Sequence, residues 1–95
     1  MASIGVITLE LRLTEAHSLK DKRHYVKSLK DRLRGKFNVA VSEIDYHDLW
    51  QRSVIACVTV SPSQAHAEQV LQSVEKEAAS LLGPLLVDVV IDWLT

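Results

Sequence analysis

The stretch Ser53–Gln64, SVIACVTVSPSQ, decides the fold of this 95-residue chain. Val54, Ile55, Ala56, Cys57, Val58 and Val60 make its first part apolar on both faces, and a strand of that kind belongs in the middle of a sheet. The run then breaks into Ser61-Pro62-Ser63-Gln64, which offers an N-cap, a proline at the first helical position and a capping glutamine. Ala67, Val70, Leu71, Val74, Ala78, Leu81 and Leu82 follow at helical spacing. Gly83-Pro84 stops that helix, and Leu85–Leu94 reads as a strand with Val87, Val89, Ile91 and Trp93 on one face.

Upstream, Asp45–Arg52 carries the polar and aromatic residues of a hairpin loop. Phe37, Val39 and Val41 begin an alternating strand that reaches about Ile44. Before it lies a helix capped by Ser18, with Asp21 three residues later and an apolar stripe of Leu19, Val26, Leu29 and Leu33 bordered by Tyr25. Gly35 closes it in the manner of a C-terminal glycine. At the start, Ile4–Leu13 alternates, with Ile7, Leu9, Leu11 and Leu13 on one side and Val6, Thr8, Glu10 and Arg12 on the other. The order is β-α-β-β-α-β. It predicts one α+β domain over residues 1–95, a ferredoxin-like sandwich with two helices on one face of a four-stranded antiparallel sheet. The first and third strands should be central.

Composition narrows the function classes. Hydrophobic residues make up 47% of the chain and the formal net charge is −1, so neither a disordered acidic tail nor a globally basic nucleic-acid binder fits. A single cysteine, Cys57, cannot form an internal disulfide, which makes a reducing, cytoplasmic setting the default. The apolar runs Val39–Val41, Val54–Val58 and Leu85–Val87 are far shorter than the ~18 residues a spanning helix needs. No secretory leader pattern is present at the N-terminus, so a soluble, unprocessed protein is expected.

The balanced total hides a lopsided layout. Between Lys20 and Lys36 lie eight basic residues and two acidic ones, a net +6, while three basic and ten acidic residues leave −7 for the rest. Lys20, Arg23, Lys27, Lys30 and Arg34 step by three and four and form one ladder beside the apolar stripe. Like charges at this spacing repel by a few tenths of a kcal/mol per pair, so the ladder does not serve helix stability. It reads as a footprint for a phosphate backbone or another polyanion. The competing reading is a solvated face, answered by acidic residues of the chain or of a partner subunit.

RNA readers of this fold stack bases on aromatics of the open sheet face. The outward positions read here are Val6, Thr8, Glu10, Ile55, Cys57 and Thr59, with Val90 and Asp92 on the last strand. None is aromatic, so any nucleic-acid contact falls to the first helix. With Ala40 and Ile44, the same face is too apolar for a solvated sheet, and association of two copies through it is expected.

Reactive side chains concentrate in Glu43, Asp45, His47, Asp48, Gln51 and Arg52. Carboxylates near a histidine suit metal binding or acid–base chemistry, but no spacing here is diagnostic. A structural hairpin accounts for the same residues: Asp48 caps a turn, Trp50 plugs the core and Arg52 meets a carboxylate. Gly5, Gly35 and Gly83 stand alone, so there is no phosphate-cradling loop. Acylphosphatases share the strand order but need an Arg-bearing loop where this chain has Leu13-Thr14-Glu15-Ala16-His17-Ser18. Cys57 reads as a packed, inert thiol. No catalytic residue, metal or cofactor is expected.

Three strings carry a family resemblance: Leu9-Glu10-Leu11-Arg12-Leu13 leading into Ser18-Leu19-Lys20-Asp21-Lys22-Arg23, then Phe37-Asn38-Val39-Ala40-Val41-Ser42-Glu43, and Asp48-Leu49-Trp50-Gln51-Arg52. In these the chain resembles the YlxP-like bacterial proteins, a small family of unknown function. The resemblance implies a ferredoxin-like fold. The family's genes often lie among those for translation initiation and ribosome maturation, which implies an RNA or ribosomal connection. The leading expectation is a non-enzymatic cytoplasmic protein that contacts RNA or a ribosomal particle through Lys20, Arg23, Lys27, Lys30 and Arg34. The hairpin residues Asp48, Trp50 and Arg52 would supply a second contact. The alternative is a structural homo-oligomer, a dimer through the sheet face.

Overall fold

A computed structural model describes residues Met1–Thr95. The elements are β1 (Ser3–Arg12), α1 (Leu19–Lys36), β2 (Ala40–Asp45), β3 (Arg52–Ser61), α2 (Gln64–Leu82) and β4 (Leu86–Trp93), with one 3-10 turn at Gly83–Leu85. The sheet runs β2-β3-β1-β4 and every neighbouring pair is antiparallel. This is the ferredoxin-like sandwich that the element order predicted, with β1 and β3 at its centre. No helix is long and apolar enough to cross a membrane.

The alternation of β1 places Ile7, Leu9, Leu11 and Leu13 at 0% exposure against the helices. Leu29 and Leu33 of α1 and Leu71, Val74 and Ala78 of α2 close over them. Each of the leucine, isoleucine and valine side chains among them contributes ~1.5–3 kcal/mol by leaving water.

The face of β3 is the reverse of the one read from its pattern. Ile55, Cys57 and Thr59, expected outward, are buried beneath the helices. Cross-strand pairing is the cause, because Cys57 stands opposite Ile7 and Ile55 opposite Leu9, so all four share the core side. Val54, Ala56, Val58 and Val60 therefore lie on the open face. The hydroxyls sent inward are satisfied. Thr59 Oγ1 donates to the Asn38 carbonyl at 2.9 Å, and Ser61 Oγ accepts from the Ser63 amide at 3.1 Å. Burial also pushes the Cys57 thiol up to about 12, which keeps it protonated and inert.

Smaller differences have local causes. Ser63, not Ser61, caps α2 and accepts from the His66 amide at 3.2 Å. Helix α1 runs through Gly35 to Lys36 and closes with the Phe37 amide donating to the Leu33 carbonyl, so it needs no left-handed glycine. Its start follows the capping pattern: Ser18 Oγ accepts from the Asp21 amide, and Asp21 Oδ2 accepts from the His17 amide, both at 3.0 Å. Phe37 and Val39 precede β2 rather than belonging to it. In β4 an irregularity opposite Glu10 and Leu11 pairs Leu86 with Leu11 and leaves Val87 exposed, out of line with Val89 and Ile91.

Gly5 faces Trp93 across β1 and β4. A Cβ there would stand 2.7 Å from Leu71 Cδ1 and 2.8 Å from Trp93 Cζ3, so the indole lies directly over bare backbone. Gly5→Ala should destabilise the fold by ~1–3 kcal/mol through overpacking. Urea unfolding should show a lower midpoint with an unchanged slope.

Candidate polyanion interface along the first helix

The ladder lies along one side of α1. Lys20, Arg23, Lys27 and Arg34 are exposed and Lys30 is half-buried. Lys20 and Arg23 stand near the positive end of the helix dipole, a further cost that helix stability would not select. Masking by the acidic remainder is slight. Lys27 pairs with Asp31 of its own helix at 2.6 Å, and Arg34 donates to the Val41 carbonyl at 3.0 Å. No ion pair reaches Lys20, Arg23 or Lys30. Glu77 of α2 instead takes Lys36 at 3.0 Å and Arg32 at 3.3 Å, neither of which belongs to the ladder.

Local electrostatics follow from these pairs. The hydrogen bond from Lys27 holds the Asp31 carboxyl below its ordinary value, with Arg34 and Lys30 adding to the effect. Lys36 first, and then Arg32, do the same for Glu77.

Arg23, Lys27, Lys30 and Arg34 form one wall of an open groove of about 660 Å³, and Ser42, His47 and Asp48 stand opposite. Beneath it lies a residue whose role the sequence reading missed. Lys22 is only 2% exposed; its Nζ meets Glu43 Oε2 at 2.9 Å and donates to the Tyr46 carbonyl. Ser53 Oγ donates to the same carboxylate oxygen. The pair ties α1 to the edge strand β2, and both residues line the groove. A signal was present in the sequence: Lys22 falls between Leu19 and Val26 on the stripe, where a solvated lysine has no place.

The loop between β2 and β3 carries the other candidates. Asp48 is exposed and lines both the basic groove and a second recess formed with Arg12, Thr14, Trp50 and Arg52. The turn hydrogen bond is made by backbone, Leu49 N–H to the Tyr46 carbonyl at 3.0 Å, and Asp45 caps the Tyr46 amide at 2.7 Å. Those roles had been read into Asp48. Trp50 does not plug the core; it is 51% exposed. Arg52 does meet a carboxylate, Glu10, at 2.8 Å, which raises the guanidinium further. It also lies 4.1 Å over the Tyr46 ring. The contacts leave Arg52 Nε buried without a partner. Arg52 and Gln51 thus position the loop, while Asp48 and Trp50 are presented by it. No three His, Cys, Asp or Glu side chains gather to hold a metal ion.

A family model described as a protein of unknown function, DUF503, matches residues 4–89. The chain is similar to the uncharacterized protein YlxP of Bacillus subtilis (strain 168), with 42% identity over 71 residues, 75% of this chain and 77% of that protein. Among solved structures, the de novo designed protein Foldit4 matches with a TM-score of 0.61 at 12% identity, over 100% of this chain and 98% of that one. A C-terminal segment of the alpha subunit of aIF2 from Pyrococcus abyssi gives 0.55 at 15% identity, over 97% of this chain and 49% of the other. A dimeric ferredoxin-like protein of unknown function from Thermobifida fusca gives 0.51 at 16%, over 97% and 91%. These structural likenesses show the fold alone.

Removing one member of the buried pair strands the other. Lys22→Ala should cost about 3 kcal/mol in urea unfolding, because Glu43 and the Tyr46 carbonyl lose their donor together. Glu43→Gln, which leaves the more deeply buried Lys22 ammonium without a counter-charge, should cost at least as much. The double variant should fall short of the sum, and strict additivity would show that the two groups do not interact.

Proposed function

The chain belongs to the DUF503 family of proteins of unknown function, and we propose that it is a non-enzymatic binding protein for RNA, free or in a ribosomal particle. Lys20, Arg23, Lys27, Lys30 and Arg34 carry the contact, and the loop at Asp48 and Trp50 forms its second part. The observation that supports this most is the distribution of acidic partners. Glu77, Glu10 and Glu43 are spent on Arg32 and Lys36, on Arg52 and on Lys22, so the ladder keeps its charge toward solvent. The one ladder ion pair, Lys27–Asp31, is exposed and screened by water and salt, so it is open to exchange for phosphate. A cytoplasmic setting suits both such a ligand and the lone thiol.

Side-chain chemistry supports binding over catalysis. Cys57 is buried and protonated. Glu43, a half-buried carboxylate that lines the groove, is engaged by Lys22 and Ser53. The groove offers cations in a row, a form suited to a phosphate backbone.

With five phosphate contacts, the logarithm of the binding constant should fall against the logarithm of salt with a slope of roughly −3.5 to −4.5. Replacing Arg23 and Lys27 by Glu should weaken binding to structured RNA or ribosomal subunits at least ~10-fold and flatten the slope by about 1.5–2. Lys76→Glu on α2 should change neither. Absence of salt-sensitive binding by the wild type ends this reading.

A second reading concerns the opposite layer and is compatible with the first. Val6, Val54, Ala56, Val58, Val60 and Val90 share the open sheet face, and Val60 and Val90 are 54% and 46% exposed. We propose that a second copy covers it, because β3 turns its more apolar set outward and buries its serines and threonine. Sedimentation at micromolar concentration should show a species near twice 10.6 kDa, and Val58→Lys should reduce it to monomer without loss of helicity. A wild type that sediments only as monomer overturns this second reading.

A further inference from the structure

The loop after β2 combines rigidity with an exposed aromatic, a pairing that loop packing alone does not require. Lys22 Nζ donates to the Tyr46 carbonyl from below. Gln51 Nε2 donates to the carbonyls of Ala16 at 3.1 Å and Thr14 at 3.3 Å, and the Gln51 carbonyl accepts from the Leu13 amide at 2.9 Å. Arg52 closes the far side over the Tyr46 ring. Between these ties Leu49 and Trp50 stand 47% and 51% exposed. An indole left half in water runs against the hydrophobic effect, and the anchoring of its neighbours keeps it in place. Asp48 lines both the basic groove and the recess that Trp50 lines, so the two depressions share one rim residue. Arg12 lines the same recess.

We propose that Trp50 is a stacking platform for an unpaired base, so that the RNA in the groove is single-stranded where it passes the loop. The inference rests on the RNA reading above and narrows it to loops, bulges or tails over uninterrupted duplex. Every base offers a π face once it leaves a helix, whereas a paired base has both faces covered by its neighbours. The ladder then follows the backbone without regard to sequence, and Trp50 reads strandedness. The sheet face plays no part, since Val6, Thr8, Glu10, Val54, Ala56, Val58 and Val90 provide no ring there.

The test compares wild type, Trp50→Ala and Trp50→Phe on three probes at one salt concentration: a single strand, the same sequence as blunt duplex, and a hairpin with an unpaired loop. Wild type should prefer the single strand and hairpin at least ~10-fold over duplex. Trp50→Ala should lose about tenfold on those two probes and nothing on duplex, with Phe retaining most of the affinity. The salt slope should stay unchanged in Trp50→Ala, which separates stacking from the charge contacts, and RNA-induced quenching of indole emission should vanish in Trp50→Phe. Circular dichroism checks that the variants fold. Equal binding of duplex and single strand, with Trp50→Ala neutral, overturns the stacking role while the ladder reading survives; Trp50 is then free for a protein partner. No salt-sensitive binding of any probe overturns both.

Discussion

A lysine ammonium almost wholly withdrawn from water survives only with a partner, and in this fold the partner comes from another element. Lys22 sits on the buried stripe of α1, Glu43 on the edge strand β2, and Ser53 at the start of the central β3. Their contact therefore joins helix, edge and centre at one point. The Tyr46 carbonyl, bonded to the same ammonium, brings in the loop. The cluster ties α1, the loop and the edge of the sheet together at the floor of the groove, beside the apolar core that holds Leu29 and Leu33.

Above that point the molecule separates its charges by layer. The helix layer carries the basic ladder, and the sheet layer carries valines broken by the Glu10–Arg52 pair and by acidic positions on β4. Glu77, reaching from α2, neutralises the side of α1 that faces its neighbour and leaves the other side bare. The formal net charge of −1 thus describes neither surface. Positive charge is concentrated on the helix side and negative charge along β4, so the RNA contact and the sheet-to-sheet contact proposed above would occupy different faces.

Much of the fold was legible because its signals are local. The alternation of Ile7, Leu9, Leu11 and Leu13, the stripe through Leu29 and Leu33, and the Ser18 cap each follow from a few neighbouring residues. What escaped was set at a distance. Both faces of β3 are apolar, so its own pattern cannot choose between Ile55 and Val54; the choice belongs to Ile7 and Leu9 on the neighbouring strand. Trp50 had been placed in the core because hydrophobicity ranks it there, and its exposure results from ties made by Gln51 and Lys22. The ladder was readable as a spacing. That no carboxylate from another element reaches it was not, since Glu77 lies more than forty residues along the chain from the cations it takes. The family resemblance rested on strings that combine anchors such as Lys22, Gln51 and Arg52 with the presented Trp50.

Cys57 gives the protein an internal gauge. It is the sole thiol, it lies on a central strand at 0% exposure, and its neighbours across the sheet are core residues. Fraying of an end or a loop leaves it covered, so an alkylating reagent reaches it through global opening. Its labelling rate, under conditions where reclosing outpaces the reagent, then reports the free energy of unfolding in native buffer. Because burial moves the thiol from 9.0 to about 12, unfolding releases a proton between those values. The contribution is complete below pH 9 and is lost as pH climbs toward 12.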